Sequence, residues 1–224
     1  YRTMNAAHTS GSFDWRRRNM VQRLAKMGIS RADVLAAMGS VPRHVFVEEA
    51  LRSRAYDDMS LPLGLGQTIS QPYTVAVMTQ LMLGNETTEN FGPVLEIGTG
   101  CGYQTAVLQA VGLKQIYSVE RLQALHEKAK HNLRTARLLG GTRLVCGDGY
   151  LGLPEVATFN GILVTAAPAE VPLPLLQQLA VGGRMVIPLD EGGQQYLWLI
   201  EKTAHGFHET CVHEARFVPL INGT

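Results

Sequence analysis

Several common markers of protein class are missing from the sequence. No apolar run reaches the roughly 20 residues that cross a bilayer, and the segment after Arg16–Arg18 is too polar for the core of a signal peptide. Charged residues make up only 17% of the chain and leave a formal net charge of +1, without a basic stripe beyond Arg16–Arg18. Because proteins that bind nucleic acid usually carry such a stripe, we expect neither a membrane nor a nucleic acid as a partner.

Cysteine is scarce, and no metal-binding pattern is present. The three cysteines, Cys101, Cys146 and Cys211, are odd in number, far apart and form no C-x-x-C motif. This usage is typical of free thiols in a reducing cytoplasm, where we expect the protein to be located. The histidines between His205 and His213 match neither H-E-x-x-H nor a zinc knuckle, so we expect no bound metal.

The sequence does contain the pattern of one folded α/β unit. Its 224 residues, 46% of them apolar, suffice for one domain with a full core. We predict a flexible tail over residues 1–13, a helical N-terminal lobe over 14–84 and a cofactor-binding α/β domain over 85–224, the last two sharing a core. Capping and stop signals predict helices in the lobe, with starts at Asp14, Ser30 and Pro42 and stops at Gly28 and Gly84.

From residue 94 onward, short β-rich runs alternate with helical segments. The runs VLEIG, QIYSVE, TRLVCGD, GILVTAA and RMVIPL predict a doubly wound, Rossmann-like fold with a mostly parallel sheet. The final runs, QQYLWLIEK and FHETCVHEARFV, are separated by a short turn and predict antiparallel strands at one edge. Together these runs predict a seven-stranded sheet.

A glycine-rich motif, VLEIGTGCGYQT, marks the nucleotide site. Gly98, Gly100 and Gly102 follow a predicted strand and precede a helix, where glycine permits a tight turn and lets backbone N–H groups approach a ligand. The dinucleotide fingerprint needs a further glycine where this chain has Tyr103. Glu96 would repel a pyrophosphate but suits the cationic amino group of S-adenosylmethionine, so this cofactor is favoured over NAD.

Acidic residues follow the next two strands. Glu120 ends YSVE, about where an acid binds both ribose hydroxyls of a nucleotide. Asp148–Gly149 follows the third strand, where the carboxylate can accept from an adenine amino group. Any one of these acids alone could be a solvated loop residue or a helix cap, but with Glu96 and the glycine motif they predict a cofactor site at the carboxyl ends of the strands.

The acceptor side of the site has its own signals. The segment Leu61–Tyr73, LPLGLGQTISQPY, places two glycines before Thr68 and Ser70 and is neither apolar nor charged enough for burial to explain it. After the fourth strand, Thr165–Pro168 offers neither the carboxamide nor the aromatic ring with which many base-methylating enzymes hold an extruded base. This weighs against methylation of nucleic acid.

In this order, the segments GQTISQP, VLEIGTGCGYQTA, SVER, GDG, TAAP, GGRMVIP and RFVPL resemble the bacterial protein-L-isoaspartate O-methyltransferases over about residues 17–220. The resemblance implies a protein-repair enzyme that transfers a methyl group from S-adenosylmethionine to the free carboxylate of L-isoaspartyl residues in damaged proteins and peptides. Asn160 stands where that family commonly has an acid, and Cys101 where it frequently has serine.

The resemblance also assigns roles to residues. Ser70 matches the active-site serine, although its hydroxyl could instead cap the following helix. The implied cofactor-binding residues are Thr68, Ile69, Tyr73, Glu96, Gly98, Thr99, Gly100, Gly102, Glu120, Asp148 and Gly149. The implied substrate-binding residues are Gln67, Ser70, Thr165, Val218, Pro219 and Leu220.

Other interpretations stay open at the level of sequence. A small-molecule methyltransferase, a non-catalytic protein that keeps the cofactor fold and, as the weakest candidate, a dinucleotide oxidoreductase share parts of the pattern. Cys101 could be a small loop residue or a redox-sensitive thiol, and Tyr73 a pocket residue or an ordinary packed tyrosine. The oligomeric state is not encoded in any motif, and a monomer is favoured.

Overall fold

The computed structural model describes residues 3–224, with side chains from residue 11 onward. The α-helices of this part are α1 (Thr3–Lys26), α2 (Ala32–Ser40), α3 (Pro72–Leu83), α4 (Tyr103–Ala110), α5 (Gln123–Thr135) and α6 (Leu173–Gln178). The β-strands are β1 (Leu61–Gly64), β2 (Gln67–Ile69), β3 (Val94–Ile97), β4 (Ile116–Glu120), β5 (Thr142–Cys146), β6 (Phe159–Val164), β7 (Leu179–Glu191), β8 (Gln194–Thr203) and β9 (Gly206–Ala215). Short 3₁₀ helices cover Arg43–Val45, Glu49–Arg54, Thr88–Asn90 and Gly149–Leu151.

The first helix begins earlier than the sequence predicted. Since α1 begins at Thr3, the predicted helix start at Asp14 is wrong. The flexible tail over residues 1–13 stays a prediction, and residues 1 and 2 lie outside the described residues. The segment ahead of Asp14 contains no proline, so nothing in it forces the helix to end. The Asp14 carboxylate accepts from Arg17, with 2.7 Å between Oδ1 and Nη2.

The rest of the lobe also differs from the helices that the sequence predicted. α2 has Arg31 at its N-cap, and the Ser30 amide instead donates to the side chain of Gln80 at 2.8 Å. The predicted third helix is two 3₁₀ helices, because Glu48 between them takes an extended conformation. Residues 61–69 form an antiparallel hairpin of β1 and β2, with Leu65 at its tip in the left-handed region (φ 54°), and Pro72 and Tyr73 already belong to α3.

The predicted sheet is confirmed. Its seven strands lie in the order β5-β4-β3-β6-β7-β8-β9, parallel from β5 to β7, with β8 antiparallel to both β7 and β9. All four residues of β3 are buried, as expected for a central strand covered by helices on both faces. The fold is therefore Rossmann-like, with an antiparallel C-terminal edge.

Apolar packing links the lobe to the sheet. One buried cluster contains Met20 and Leu24 from α1, Val107 from α4, and Leu163 and Val186 from the sheet. A second cluster on the other side includes Leu95, Ile162 and Leu175. Within residues 3–224, no helix combines the length and the apolarity needed to cross a bilayer.

The last strand returns the chain to the carboxyl edge of the sheet. β9 runs in the same direction as β7, so the residues after it emerge where the parallel strands end. There the amide of Ala167 donates to the Val218 carbonyl at 2.8 Å, and the amide of Leu220 donates to the Ala167 carbonyl at 2.9 Å. This pairing fixes the C-terminal segment beside the end of β6.

Candidate active site

A cleft opens at the carboxyl ends of β3 and β4, where open α/β sheets bind their ligands. It encloses about 600 Å³, counting the space open to solvent. Its walls come from the hairpin, the loops after the strands and the C-terminal segment. The lining residues are Gln67, Thr68, Ile97, Gly98, Gly100, Val119, Glu120, Arg121, Leu122, Gly149, Thr165, Ala166, Val218, Pro219, Leu220 and Ile221.

The glycine loop shapes this cleft differently from what the sequence suggested. Its N–H groups serve the protein: those of Gly98 and Thr99 donate to the Val119 carbonyl, and that of Gly102 to the Thr99 carbonyl. A phosphate-binding loop leaves such groups for its ligand, whereas these three amides are already bonded within the protein. The glycines are needed for space, since a Cβ on Gly98 (φ 93°) would lie 2.4 Å from Thr165 Oγ1.

Glu120 is the acid of the cleft. Its Oε2 accepts from the Gly100 amide at 2.8 Å and its Oε1 from the Leu122 amide at 3.0 Å. Each carboxylate oxygen has lone pairs for another donor, so the side chain can accept both hydroxyls of a ribose while it holds the glycine loop. The structure thus provides a glycine-walled cleft and an oriented carboxylate, which fit the nucleoside part of S-adenosylmethionine.

Glu96 does not line the cleft. It lies in the centre of β3, fully buried, and its Oε2 accepts from the hydroxyls of Thr105 at 2.5 Å and Ser118 at 2.7 Å. Burial raises the pKa of this carboxyl to about 7, although both hydrogen bonds act in the opposite direction. The expectation of direct contact with the cofactor's amino group is therefore not supported, because a central parallel strand turns this residue into the core.

Five other predicted cofactor residues also lie outside the cleft lining: Ile69 and Thr99, which line the adjoining pocket described below, and Asp148, Gly102 and Tyr73. The oxygens of Asp148 accept from the amides of Tyr150 and Gly223, so this acid caps a 3₁₀ helix and ties down the C-terminal segment. Gly102 lies against α5, where a Cβ would come within 3.4 Å of Ala129. The Tyr73 ring packs 6.0 Å from the ring of His213, centroid to centroid.

Ser70 lies at a second, adjoining pocket. That pocket shares Thr68, Gly98, Gly100 and Thr165 with the cleft and adds Ile69, Ser70, Val75, Thr99, Cys101, Tyr103 and Gln104. Ser70 does not cap α3: the N-cap is Gln71, and the Asp58 carboxylate accepts from the Tyr73 amide at 2.9 Å instead. The alternative role that the sequence left open for Ser70 is thus taken by Asp58.

The sequence-based interpretation missed several residues at the site. Arg121, Leu122 and Ile221 line the cleft, and Gln104 lines the second pocket. Arg121 and Gln104 lie within the motifs SVER and VLEIGTGCGYQTA but were given no role, and no motif marks Leu122 and Ile221. The supporting contacts of Asp58 could not be found from the sequence, since that residue lies far along the chain from the amide it binds.

Cys101 is a structural thiol. It is fully buried, which raises its pKa to about 11, whereas Cys146 and Cys211 are exposed and all three are free. Since the thiolate is the reactive form, we expect iodoacetamide to alkylate the two exposed cysteines of the native protein and Cys101 only after unfolding. Mass spectrometry of the digested protein measures this, and alkylation of Cys101 at the rate of Cys146 would contradict it.

A parallel sheet in this order, a glycine loop after β3 and an acid at the end of β4 fit the class of S-adenosylmethionine-dependent methyltransferases. A family model described as "Protein-L-isoaspartate(D-aspartate) O-methyltransferase (PCMT)" matches residues 15–224. The chain belongs to this family. It is thus an enzyme that transfers a methyl group from S-adenosylmethionine to L-isoaspartyl residues in the repair of damaged proteins.

Individual relatives agree with this assignment. The protein-L-isoaspartate O-methyltransferase of Chromobacterium violaceum is 56% identical over 207 residues, which cover 92% of this chain and 90% of the relative. A solved protein-L-isoaspartate O-methyltransferase superposes with a TM-score of 0.80 at 30% identity; the match covers 91% of this chain and 65% of that longer one. An S-adenosyl-L-homocysteine complex from Plasmodium falciparum has the same fold, with a TM-score of 0.77 at 23% identity and coverage of 92% and 98%.

Proposed function

We propose that Ser70 holds the carboxylate of the isoaspartyl residue in the second pocket while the cleft beside it holds the cofactor. The observation that carries this proposal is the shared wall: Thr68, Gly98, Gly100 and Thr165 border both spaces. A donor in one space and an acceptor in the other therefore meet at these four residues. Gln67 and the segment Val218–Leu220 border the cleft mouth and would contact the peptide around the isoaspartyl residue.

Glu120 and the glycine loop would hold the nucleoside. S-adenosylmethionine supplies a methyl group that is bonded to a positively charged sulfur. Because of this charge, the sulfur departs readily as a neutral thioether when the methyl group is transferred. Gly98 and Gly100 leave room for the ligand, and Thr68 and Gly149 would line its binding site; Ile69 and Thr99, which were also predicted to bind the cofactor, border only the second pocket. Asp148 would act indirectly by fixing the turn that contains Gly149, and Glu96 by supporting α4 from below through Thr105.

The reaction needs alignment more than acid–base catalysis. A side-chain carboxyl with a reference pKa near 4 is already ionised at neutral pH, so no general base is required. Holding the reacting groups together in the right orientation can supply most of the acceleration. Ser70 suits that task, because its hydroxyl can donate one hydrogen bond to the carboxylate. The motif around Ser70, GQTISQP, contains no histidine and no acid that would activate the hydroxyl as a nucleophile.

The test of the proposed reaction uses a matched pair of short peptides and methyl-labelled S-adenosylmethionine. One peptide contains L-isoaspartate and the other normal aspartate at the same position. We expect base-labile label on the isoaspartyl peptide alone. If neither peptide is labelled while the cofactor still binds, the acceptor is not an isoaspartyl residue and small molecules must be screened.

Replacing Ser70 by alanine tests the role of its hydroxyl. A lost hydrogen bond to a charged group is worth about 1.5–3 kcal/mol, so we expect turnover to fall about tenfold or more. Cofactor affinity should stay within a few-fold, because Ser70 borders the second pocket and not the cleft. Ser53→Ala, at an exposed serine of the lobe, is the matched control. Unchanged turnover of Ser70→Ala would remove this residue from the reaction.

The remaining proposals concern the protein as a whole. A cytoplasmic location is supported by the three free cysteines, two of them exposed. A monomer that binds no nucleic acid is supported by the near-neutral charge and by the scatter of exposed apolar side chains, such as Leu65, Leu173 and Phe207, over separate elements. The boundary between the lobe and the cofactor domain at residue 84 stays a prediction, and light scattering after size exclusion would test the monomer.

A further inference from the structure

Arg43 is a fully buried cation next to the acceptor pocket. Its side chain is inaccessible to solvent, and burial lowers the pKa of its guanidinium. No carboxylate of the described residues lies within ion-pair distance of it, the ion pairs of this part of the chain being made by other arginines and lysines. Burying a charge without an ion-pair partner costs free energy of folding. The guanidinium therefore depends on contacts that serve a role other than an ion pair.

The guanidinium connects three parts of the structure. Its Nε donates to the Ala55 carbonyl at 2.7 Å, and its Nη2 donates to the Ser70 carbonyl at 2.6 Å. Its central carbon lies 4.5 Å from the ring centroid of Tyr103, the first residue of α4 behind the glycine loop. One side chain thus links the N-terminal lobe, the acceptor pocket and the cofactor loop.

The backbone around Ser70 depends on such outside contacts. Ser70 lies between the end of β2 and the start of α3, and Pro72 has no N–H to offer in this stretch. The helix begins its own bonding at the Gln71 carbonyl, which accepts from the Val75 amide. The Ser70 carbonyl therefore relies on Arg43, and the Tyr73 amide relies on Asp58. Both charged residues belong to the segment 43–58.

We propose that Arg43 is a positioning residue for methyl transfer: by holding the Ser70 carbonyl against the rim of α4, it sets the direction of the Ser70 hydroxyl. This inference rests on the role proposed above for Ser70. Asp58 fixes the other side of the same turn. The charge of Arg43 matters because a charged donor binds a carbonyl more strongly than a neutral one, and its planar fork lets it reach two carbonyls at once.

The decisive variant is Arg43→Lys, which keeps the charge but cannot reach both carbonyls. We expect kcat/KM for the isoaspartyl peptide to fall about tenfold or more, with the Kd for S-adenosylmethionine within about threefold. Arg23→Lys is the matched control, because Arg23 also donates to a lobe carbonyl, that of Tyr56 at 2.6 Å, without touching Ser70. Arg23→Lys should lower the melting temperature of the protein but leave kcat/KM unchanged.

A double variant separates positioning from general destabilisation. If Arg43 acts through the Ser70 hydroxyl, Arg43→Lys combined with Ser70→Ala should be no slower than Ser70→Ala alone, since effects of residues acting as a unit are not additive. Losses that multiply would overturn the inference, as would an Arg43→Lys enzyme with wild-type kcat/KM. Should Arg43→Lys fail to fold, Asp58→Ala, which removes the acceptor of the Tyr73 amide on the other side of the turn, takes its place and must show the same non-additivity with Ser70→Ala.

Failure of the proposed function gives a different result. In that case the wild-type enzyme leaves the isoaspartyl peptide unlabelled. If the peptide is labelled but Ser70→Ala is as fast as wild type, the role of Ser70 and with it that of Arg43 are overturned. A slow Ser70→Ala beside a fast Arg43→Lys overturns the positioning role alone.

Discussion

Glu120→Gln should weaken binding of S-adenosylmethionine about a hundredfold or more, the largest loss that we expect at the cofactor site. The carboxylate accepts from the amides of Gly100 and Leu122 and has lone pairs left for the two ribose hydroxyls. A glutamine must place its NH₂ group against one of those amides, donor facing donor. The variant therefore loses an acceptor for the ligand and also disturbs the loop that borders the cleft.

Isothermal titration with S-adenosylmethionine measures this effect. Glu127→Gln is the matched control, because this substitution changes the charge by the same amount at an exposed position of α5. Its affinity for the cofactor should match that of the wild-type protein. A folded Glu120→Gln protein that binds the cofactor within about threefold of wild type would show that Glu120 supports the loop but not the ligand.

Glu96→Gln should stabilise the cofactor-free protein by about 2–3 kcal/mol more at pH 8 than at pH 5. The pKa of Glu96 is raised by burial to about 7. Between that value and the pKa of an unfolded glutamate, near 4.3, the native protein holds a proton that the unfolded chain has released. Stability from this group therefore decreases as the pH rises through this range, and glutamine removes the loss.

Thermal unfolding without cofactor at the two pH values measures the difference. For a chain of this length, the melting temperature should rise by roughly 5–10 °C more at pH 8 than at pH 5. Glu209→Gln, an exposed acid on β9, should change neither melting temperature. If Glu96→Gln lowers the melting temperature equally at both pH values, the ionised carboxylate stabilises the fold through Thr105 and Ser118 and does not destabilise it.

The two acids also show how far the sequence leads. Runs of β-rich residues located all seven strands, and Gly84 ended α3 as predicted, because these signals depend on neighbours along the chain. The acid at the end of β4 reached the cleft as expected. The acid within β3 did not, because a strand buried on both faces has no alternation to tell which of its side chains faces a ligand.

The supporting contacts around Ser70 were beyond such signals. Arg43 was predicted only as a residue of the helix that starts at Pro42, whereas its guanidinium reaches a carbonyl 27 positions away in the chain. Asp58 caps a helix that begins at Pro72, a role that capping rules assign only to the residue next to the helix. Contacts of this kind depend on how distant segments pack in the folded protein. The helix and turn propensities of neighbouring residues therefore cannot predict them.

The antiparallel pair at the C-terminal edge has a consequence for synthesis. Because β8 and β9 reverse the chain twice, the residues that complete the cofactor cleft, Val218–Ile221, are made after all the other residues of its lining. Folding during synthesis starts from the N-terminal side, so the lobe, the hairpin and the parallel strands are available before their ligand site is closed. A nascent chain can thus build its scaffold early, but it acquires a finished wall for the cofactor only after β9 and the segment behind it have been made.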